Sequence, residues 1–209
     1  LYKVLGLKAP PLGLAWIAAV LERAGHKVRI IDSPTEGIDL KTFMNEVRSW
    51  QPDVVGITAI TPTVYKAYET AKAIKEYDRD LPVIMGGPHV TFMYEEALNN
   101  NVDVVVRGEG EYTTLELVST MEKYGLDSTR LRSIRGLAFR DGDQVIRTQD
   151  RPPIRNLDEL PPPARHLLPM DKYTLFGKPI RIVHVMASRG CPYGCSFCST
   201  SYFWGRMIR

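Results

Sequence analysis

The chain has 209 residues, enough for one full domain and part of another. Hydrophobic residues make up 44% and charged residues 24%, and no apolar run approaches the roughly 18 residues of a membrane helix, so a membrane span is not expected. The net charge of +3 conceals 13 basic against 18 acidic side chains in residues 1–129, and 14 against 6 in 130–209. The later arginines are dispersed with no Lys/Arg block, which argues against nucleic-acid binding.

No signal peptide precedes the first strand-like segment, LYKVLGL, so a cytoplasmic protein is expected. The chain opens without Met and stops abruptly at Arg209, which suggests a fragment at both ends. Residues 1–125 alternate strand and helix. YKVLGL is the first strand, and LGLAWIAAVLERAG a helix that stops at Gly25. HKVRIID is the second strand and DLKTFMNEVRSW the second helix. DVVGITA is an unbroken apolar run, as a strand buried on both faces should be. Then come helix TVYKAYETAKAIKEY, strand PVIMGG, helix TFMYEEALNN, strand VDVVVRG and helix EYTTLELVSTMEKYG. Five βα units predict an α/β fold, a flavodoxin-like five-stranded parallel sheet of order 2-1-3-4-5, with ligands at the carboxyl ends of its strands.

The character changes near residue 130. SIRGLAFRDGDQVIRTQ alternates about a DGD turn and predicts a β-hairpin. DRPPIRNLDELPPPARHLLP holds six prolines in twenty residues, and proline cannot feed an interior helix or sheet, so a stiff, extended connector is expected. PIRIVHVMASRG reads as a new buried strand with a cysteine-bearing loop at its end. The expected division is a ligand-binding domain at 1–127, hairpin and linker at 128–176, and the start of a second domain from 177 to 209.

All three cysteines, Cys191, Cys195 and Cys198, fall in SRGCPYGCSFCST. In a reducing compartment such a cluster points to a metal or redox centre rather than to disulfides. A structural zinc site needs four ligands, and His184, the nearest histidine, is expected to pack within its strand. A C-x-x-C redox pair accounts for Cys195 and Cys198 but leaves Cys191 unexplained. Three thiolates suit a 4Fe–4S cluster with one iron left open for another ligand. The C-x-x-x-C-x-aromatic-C pattern after a strand resembles the signature of the radical S-adenosylmethionine enzymes. That resemblance implies Cys191, Cys195 and Cys198 as cluster ligands and Phe197 beside the adenosine of S-adenosylmethionine, with Pro192 and Gly194 shaping the loop. It further implies a (β/α) barrel, of which 177–209 would be the truncated start, and a flavodoxin- or ferredoxin-type reductant.

The first domain lacks a GxGxxG loop after strand one, where KAPPLG stands, and Thr58 occupies the place of a phospho-acceptor aspartate. Its loops resemble the cobalamin-binding domain that precedes many radical S-adenosylmethionine barrels. In the methionine synthase type of that domain a D-x-H-x-x-G loop supplies a histidine to cobalt. Aligned on Gly13, this chain has Pro10 there, which implies cobalamin held without that histidine. The resemblance assigns Leu12 and Gly13 of PPLG, Thr58, Thr61 and Thr63 of TAITPT, Gly86 and Gly87 of MGGPH, and Gly108, Glu109 and Gly110 of RGEGE to the cobalamin pocket. Structural readings stand beside these: Gly-Gly as a turn, threonines as caps, His26, His89 and His166 as surface or capping histidines. The implied activity is methyl transfer to a carbon of a small-molecule or lipid-like substrate, with oxidative cyclisation or rearrangement, or a non-catalytic cobalamin-binding sensor, as alternatives. The four loops and the cysteine loop are expected on one side of the first domain.

Overall fold

In the computed structural model, residues 8–179 and 183–209 are described. The strand expected at YKVLGL lies outside them. Helix α1 (Leu12–Arg23) starts behind Pro10 and Pro11 and runs into Gly25 at φ +95°. Asp32 caps the short α2 (Ser33–Glu36), and Asp39 caps α3 (Leu40–Trp50) by accepting from the Thr42 amide at 2.8 Å. That bond, with the Thr42 hydroxyl beside it, holds the Asp39 carboxyl below its usual range.

Strands β1 (Val55–Thr58), β2 (Val83–Gly86) and β3 (Val104–Val106) pair in parallel, joined by α4 (Val64–Tyr77) and by α5 (Pro88–Phe92) and α6 (Tyr94–Leu98). The segment expected as one helix over TFMYEEALNN begins inside α5 and breaks at Met93, whose φ of −108° and ψ of 43° leave helical space. Helix α7 (Glu111–Tyr124) ends at Gly125, and Asp127 caps α8 (Ser128–Leu131). Side chains alternate across the sheet as a period of two requires. Val83, Met85 and Val105 pack with Val64, Ala71 and Ile74 on one face, whereas Ile84, Val104 and Val106 meet Leu117, Ile134 and Phe139 on the other.

Among the described residues the α/β sheet has five strands, mostly parallel, but its membership differs from the expected one. The hairpin of β4 (Leu137–Asp141) and β5 (Gln144–Arg147) adds antiparallel to β3, so it belongs with the sheet and not with the linker. Gly142, at φ +58°, makes its tight turn. An apolar edge strand such as β3 needs a partner, and the hairpin supplies it. Residues 26–32, expected as a strand, carry no strand pairing among the described residues. In the order 2-1-3-4-5 their only neighbour would be the segment outside the described residues.

The proline-rich segment is not a free connector. Ile154, Leu160, Ala164 and Leu168 are buried against α1, beside Val20, Ala18, Ala19 and Ala15. The Ala164 amide donates to the Ala15 carbonyl at 2.9 Å. Tyr173 donates to Asp32 at 3.0 Å, and its burial with that carboxylate raises the phenol above its ordinary range. The segment is a strap over α1, followed by a small antiparallel pair, β6 (Thr174–Leu175) and β7 (Lys178–Pro179). Over 183–190 the expected barrel strand has no strand pairing among the described residues, and Val185 is 75% exposed where burial was expected. A barrel strand gains its burial from strands on both sides. Among the described residues the backbone of this segment instead meets Arg165 at the His184 carbonyl and Arg209 at Arg189. Helix α9 (Thr200–Trp204) closes the described chain. No helix among the described residues is long and apolar enough to cross a membrane.

Candidate functional site

The parallel register sets Thr58 beside Gly86 and Met85 beside Val105, so TAITPT, MGG and RGEGE leave the sheet at one carboxyl edge. Backbone bonds hold these loops close: Ala59 N–H donates to Gly86 C=O at 3.0 Å and His89 N–H to Ala59 C=O at 3.4 Å. Thr91 bridges the next pair, donating its hydroxyl to Gly87 C=O at 2.9 Å and accepting from the Gly108 amide at 3.0 Å. Gly87 has φ +106°, and a Cβ there would lie 2.6 Å from the Ala59 carbonyl oxygen and 2.9 Å from Thr58 Oγ1. The edge is therefore a close-packed backbone platform with hydroxyls at its rim.

The sequence-assigned residues divide into groups, of which one lies on this platform. Thr58, Gly86, Gly87 and Gly108 come together at the strand ends. Thr63 closes its own turn, bonding Ile60 N–H and C=O at 3.3 and 3.1 Å, and Thr61 Oγ1 lies 3.1 Å from His89 Nδ1. Leu12 and Gly13 open α1, with Gly13 exposed and no atom within 4 Å of a would-be Cβ. Gly110 instead meets Ile17 of α1, where a Cβ would sit 3.0 Å from Cδ1. The Glu109 side chain is 7% exposed and turned to Arg209 and Arg189.

Histidine placement bears on what the platform could offer cobalt. His89 is held by Thr61 on one nitrogen, and its other nitrogen lies 3.7 Å from Glu96. His166 pairs with Glu22 at 3.0 Å near the last turn of α1, and His26 follows that helix end. A platform of glycine backbone and hydroxyls fits cobalamin, and the His89 ring beside it is taken up by Thr61 and faces Glu96. A cavity of about 830 Å³ lined by Lys72, Lys75, Asp103 and Leu126 opens at the amino ends of β2 and β3, on the wrong edge for this chemistry.

The cysteine loop is set off from residue 189 to 209 by paired backbone bonds. Arg189 and Arg209 exchange N–H to C=O bonds at 3.0 and 2.9 Å, and the Cys191 amide donates to Gly205 C=O at 3.0 Å. Gly190, at φ +100°, lets the two segments meet where a Cβ would overlap the Met207 carbonyl oxygen. A turn joins Cys195 and Cys198 through Cys198 N–H to Cys195 C=O at 3.1 Å. Cys195 is exposed, Cys191 and Cys198 half-buried, and Phe197 is 91% exposed. The Thr200 hydroxyl, 3.2 Å from Cys198 Sγ, lowers that thiol from its ordinary pKa. Three thiols on one short loop are the right donor set for an iron–sulfur cluster. Among the described residues, however, no three Cys, His, Asp or Glu side chains are gathered as a metal site.

Under this loop lies a feature that sequence reasoning missed. The buried Arg189 donates to Glu111 Oε1 at 2.6 Å and lies 5.0 Å from the ring centroids of Trp16 and Trp204. Arg209 donates to Glu109 Oε2 at 3.1 Å and to the carbonyls of Ile154 and Trp204 at 2.6 and 2.7 Å. RGEGE draws attention to Glu109, but no local pattern couples it to residues so distant in sequence.

The B12-binding domain model matches residues 1–118. The chain belongs to the B12-binding domain family. An uncharacterised methyltransferase of Pyrococcus horikoshii is 43% identical over 99% of this chain and 44% of its own length. The anaerobic magnesium-protoporphyrin IX monomethyl ester cyclase of Cereibacter sphaeroides is 36% identical over 93% of this chain and 32% of its own. The chain thus spans less than half the length of these curated relatives. Its fold is that of the cobalamin-dependent S-adenosylmethionine radical enzyme OxsB, with a TM-score of 0.82 at 20% identity, over 100% of this chain and 28% of that one. The radical S-adenosylmethionine methyltransferase TsrM of Kitasatospora setae gives 0.70 at 22% identity, over 96% of this chain and 40% of that one. The resemblance to cobalamin-binding radical S-adenosylmethionine enzymes drawn from the loops and thiol spacing stands. The matched region takes in the platform at the strand ends and stops short of the cysteine loop.

Proposed function

We propose that this chain is the cobalamin-holding and cluster-holding part of a radical S-adenosylmethionine enzyme that methylates a carbon of a small or lipid-like organic substrate. The reading rests on one juxtaposition: a B12-binding sheet and a three-thiol loop in one chain. Cys191, Cys195 and Cys198 would hold a 4Fe–4S cluster and Phe197 would lie along the adenosine of S-adenosylmethionine. Thr58, Thr61, Gly86, Gly87 and Gly108, with Leu12 and Gly13 at the head of α1, would hold cobalamin. When bound, these groups supply one-electron cleavage of S-adenosylmethionine and a carrier for the methyl group. The chain's own part is positional: backbone closely applied at Gly87, hydroxyls at the rim, and thiols on a loop closed at its base. A flavodoxin- or ferredoxin-type protein is the proposed electron source. Of the divisions 1–127, 128–176 and 177–209, the middle one is proposed to work as a sheet extension and a strap on the first rather than as a linker.

Oxidative ring closure is the second reading, favoured by the 36% identity to the cyclase of Cereibacter sphaeroides. The test uses the full-length protein reconstituted anaerobically with iron and sulfide. Wild type should show the broad absorption near roughly 400 nm of a thiolate-ligated cluster, and the Cys191→Ala/Cys195→Ala/Cys198→Ala variant should lose it. Undiminished cluster content in that variant overturns the assignment. Product mass then separates the two reactions: a gain of one methyl group, or loss of hydrogen with closure.

A further inference from the structure

The carboxylates of the loop after β3 and the arginines at both ends of the cysteine loop form a buried four-charge cluster. Its members are Glu109, Glu111, Arg189 and Arg209, with side chains 7%, 5%, 2% and 3% exposed. Two positive and two negative charges balance, which burial at this depth demands. Buried ion pairs are weak sources of net stability, because desolvation offsets their attraction, but their directional bonds can select one arrangement over others. Here the selection is sharp. Arg189 is flanked by Trp16 of α1 and Trp204 of α9 while its fork reaches Glu111, the first residue of α7. A guanidinium is planar and weakly hydrated, so aromatic flanks suit it where a lysine would not fit equally.

Glu109 joins three segments. Its Oε2 accepts from Arg209 at 3.1 Å and from the Ile154 amide of the strap at 2.7 Å. Its Oε1 lies 2.9 Å from Arg209 Nη2 and 3.5 Å from Arg189 Nη1. Arg189 and Arg209 also exchange backbone bonds, so both ends of the loop meet at Glu109, and Arg189 alone reaches on to Glu111. The three cysteines lie between those ends. Gly108, three residues before the start of α7, belongs to the platform at the strand ends, so one short loop serves both sites.

We infer that Arg189, Arg209, Glu109 and Glu111 are positioning residues: a latch that fixes the cysteine loop against the carboxyl edge of the B12-binding sheet. The inference rests on the proposed function only for the identity of what the two sites hold. The latch's own content is that these charges order residues 190–208 without being needed to fold the sheet.

The experiment measures amide hydrogen exchange on the full-length protein, wild type and the Arg189→Gln, Arg209→Gln and Glu111→Gln variants. The latch predicts at least about tenfold faster exchange across 190–208 in the variants, with protection in β1–β3 unchanged. Arg189→Lys should recover part of the loss, since it keeps the charge but not the fork. Unchanged protection over 190–208 overturns the inference, and so does loss spread equally through the sheet, which would make the cluster a general stabiliser. Arg209→Gln removes the bonds to Glu109, Ile154 and Trp204 while leaving the Arg189–Glu111 pair and its tryptophan flanks in place, so it remains informative if Arg189→Gln fails to fold.

A second readout concerns position itself. In protein carrying both reduced cluster and cob(II)alamin, the electron–electron dipolar distance should broaden in Arg189→Gln while both cofactors remain bound. A sharp, unshifted distance argues against positioning. Absence of a cluster in wild type would count against the proposed function and leave the exchange result as the judge of the latch.

Discussion

At Gly87 the backbone turns at φ +106° with the Ala59 carbonyl where a side chain would begin. Alanine must either leave that conformation or push β1 and β2 apart. The strained conformation alone costs about 1–3 kcal/mol, so Gly87→Ala should lower the urea midpoint accordingly and weaken cobalamin retention with it. Gly13 is the natural control, because both glycines draw notice in the sequence and only one has a steric reason to be glycine. With nothing within 4 Å of its Cβ position and no positive φ, Gly13→Ala in the first turn of α1 should stabilise by about 0.4–1 kcal/mol. Equal losses in the two variants would remove the close-approach argument. Buried Arg107 shows the same economy of backbone groups, donating to the carbonyls of Leu137 and Thr148 at 3.3 and 2.7 Å and to Asp150 at 2.6 Å.

Among the elements, the proline strap departs most from its expected part. A tether would tolerate truncation, whereas Ile154 and Leu160 are each only 8% exposed beside Val20. Ile154→Ala or Leu160→Ala should each destabilise by about 2–4 kcal/mol in chemical denaturation. The neighbouring exposed Arg155→Ala should stay within about 0.5 kcal/mol. No effect at Ile154 and Leu160 would return the segment to a linker. Proline content announces an extended backbone but says nothing about which surface receives it, and so the strap was legible as a conformation and not as a packing element. Helices α1, α3, α4 and α7 were legible as segments between strand-like runs, and α1 and α7 also by the glycines that end them, Gly25 and Gly125. The hairpin was legible too, but its attachment to β3 is a long-range pairing that no local pattern records. For the site, thiol spacing and the loop glycines were readable directly, whereas Arg189 meets Glu111 across 78 positions of sequence.

For the molecule as a whole, the uneven charge along the chain has a structural explanation. The acidic surplus of residues 1–129 and the basic surplus of 130–209 meet in space: Arg189 with Glu111, Arg209 with Glu109, Arg151 with Glu116 and Lys172 with Glu36. The later segment thus folds back on the first domain, and the loop that closes this contact follows β3 at the carboxyl edge. The cysteine loop is anchored on the side of the sheet where a B12-binding fold presents its ligand. From that arrangement follows an expectation about cobalt. Pro10 has neither a side-chain lone pair nor an N–H at the position where a related loop carries histidine. His89 is turned to Thr61 and Glu96, and His26 and His166 lie at the far end of α1. In the full-length protein, cob(II)alamin should give an electron paramagnetic resonance spectrum without superhyperfine splitting from a protein nitrogen, and His89→Ala should leave it unchanged. A nitrogen splitting that disappears in His89→Ala would make His89 a ligand, require its side chain to leave Thr61, and move the cobalamin from the glycine platform toward α5.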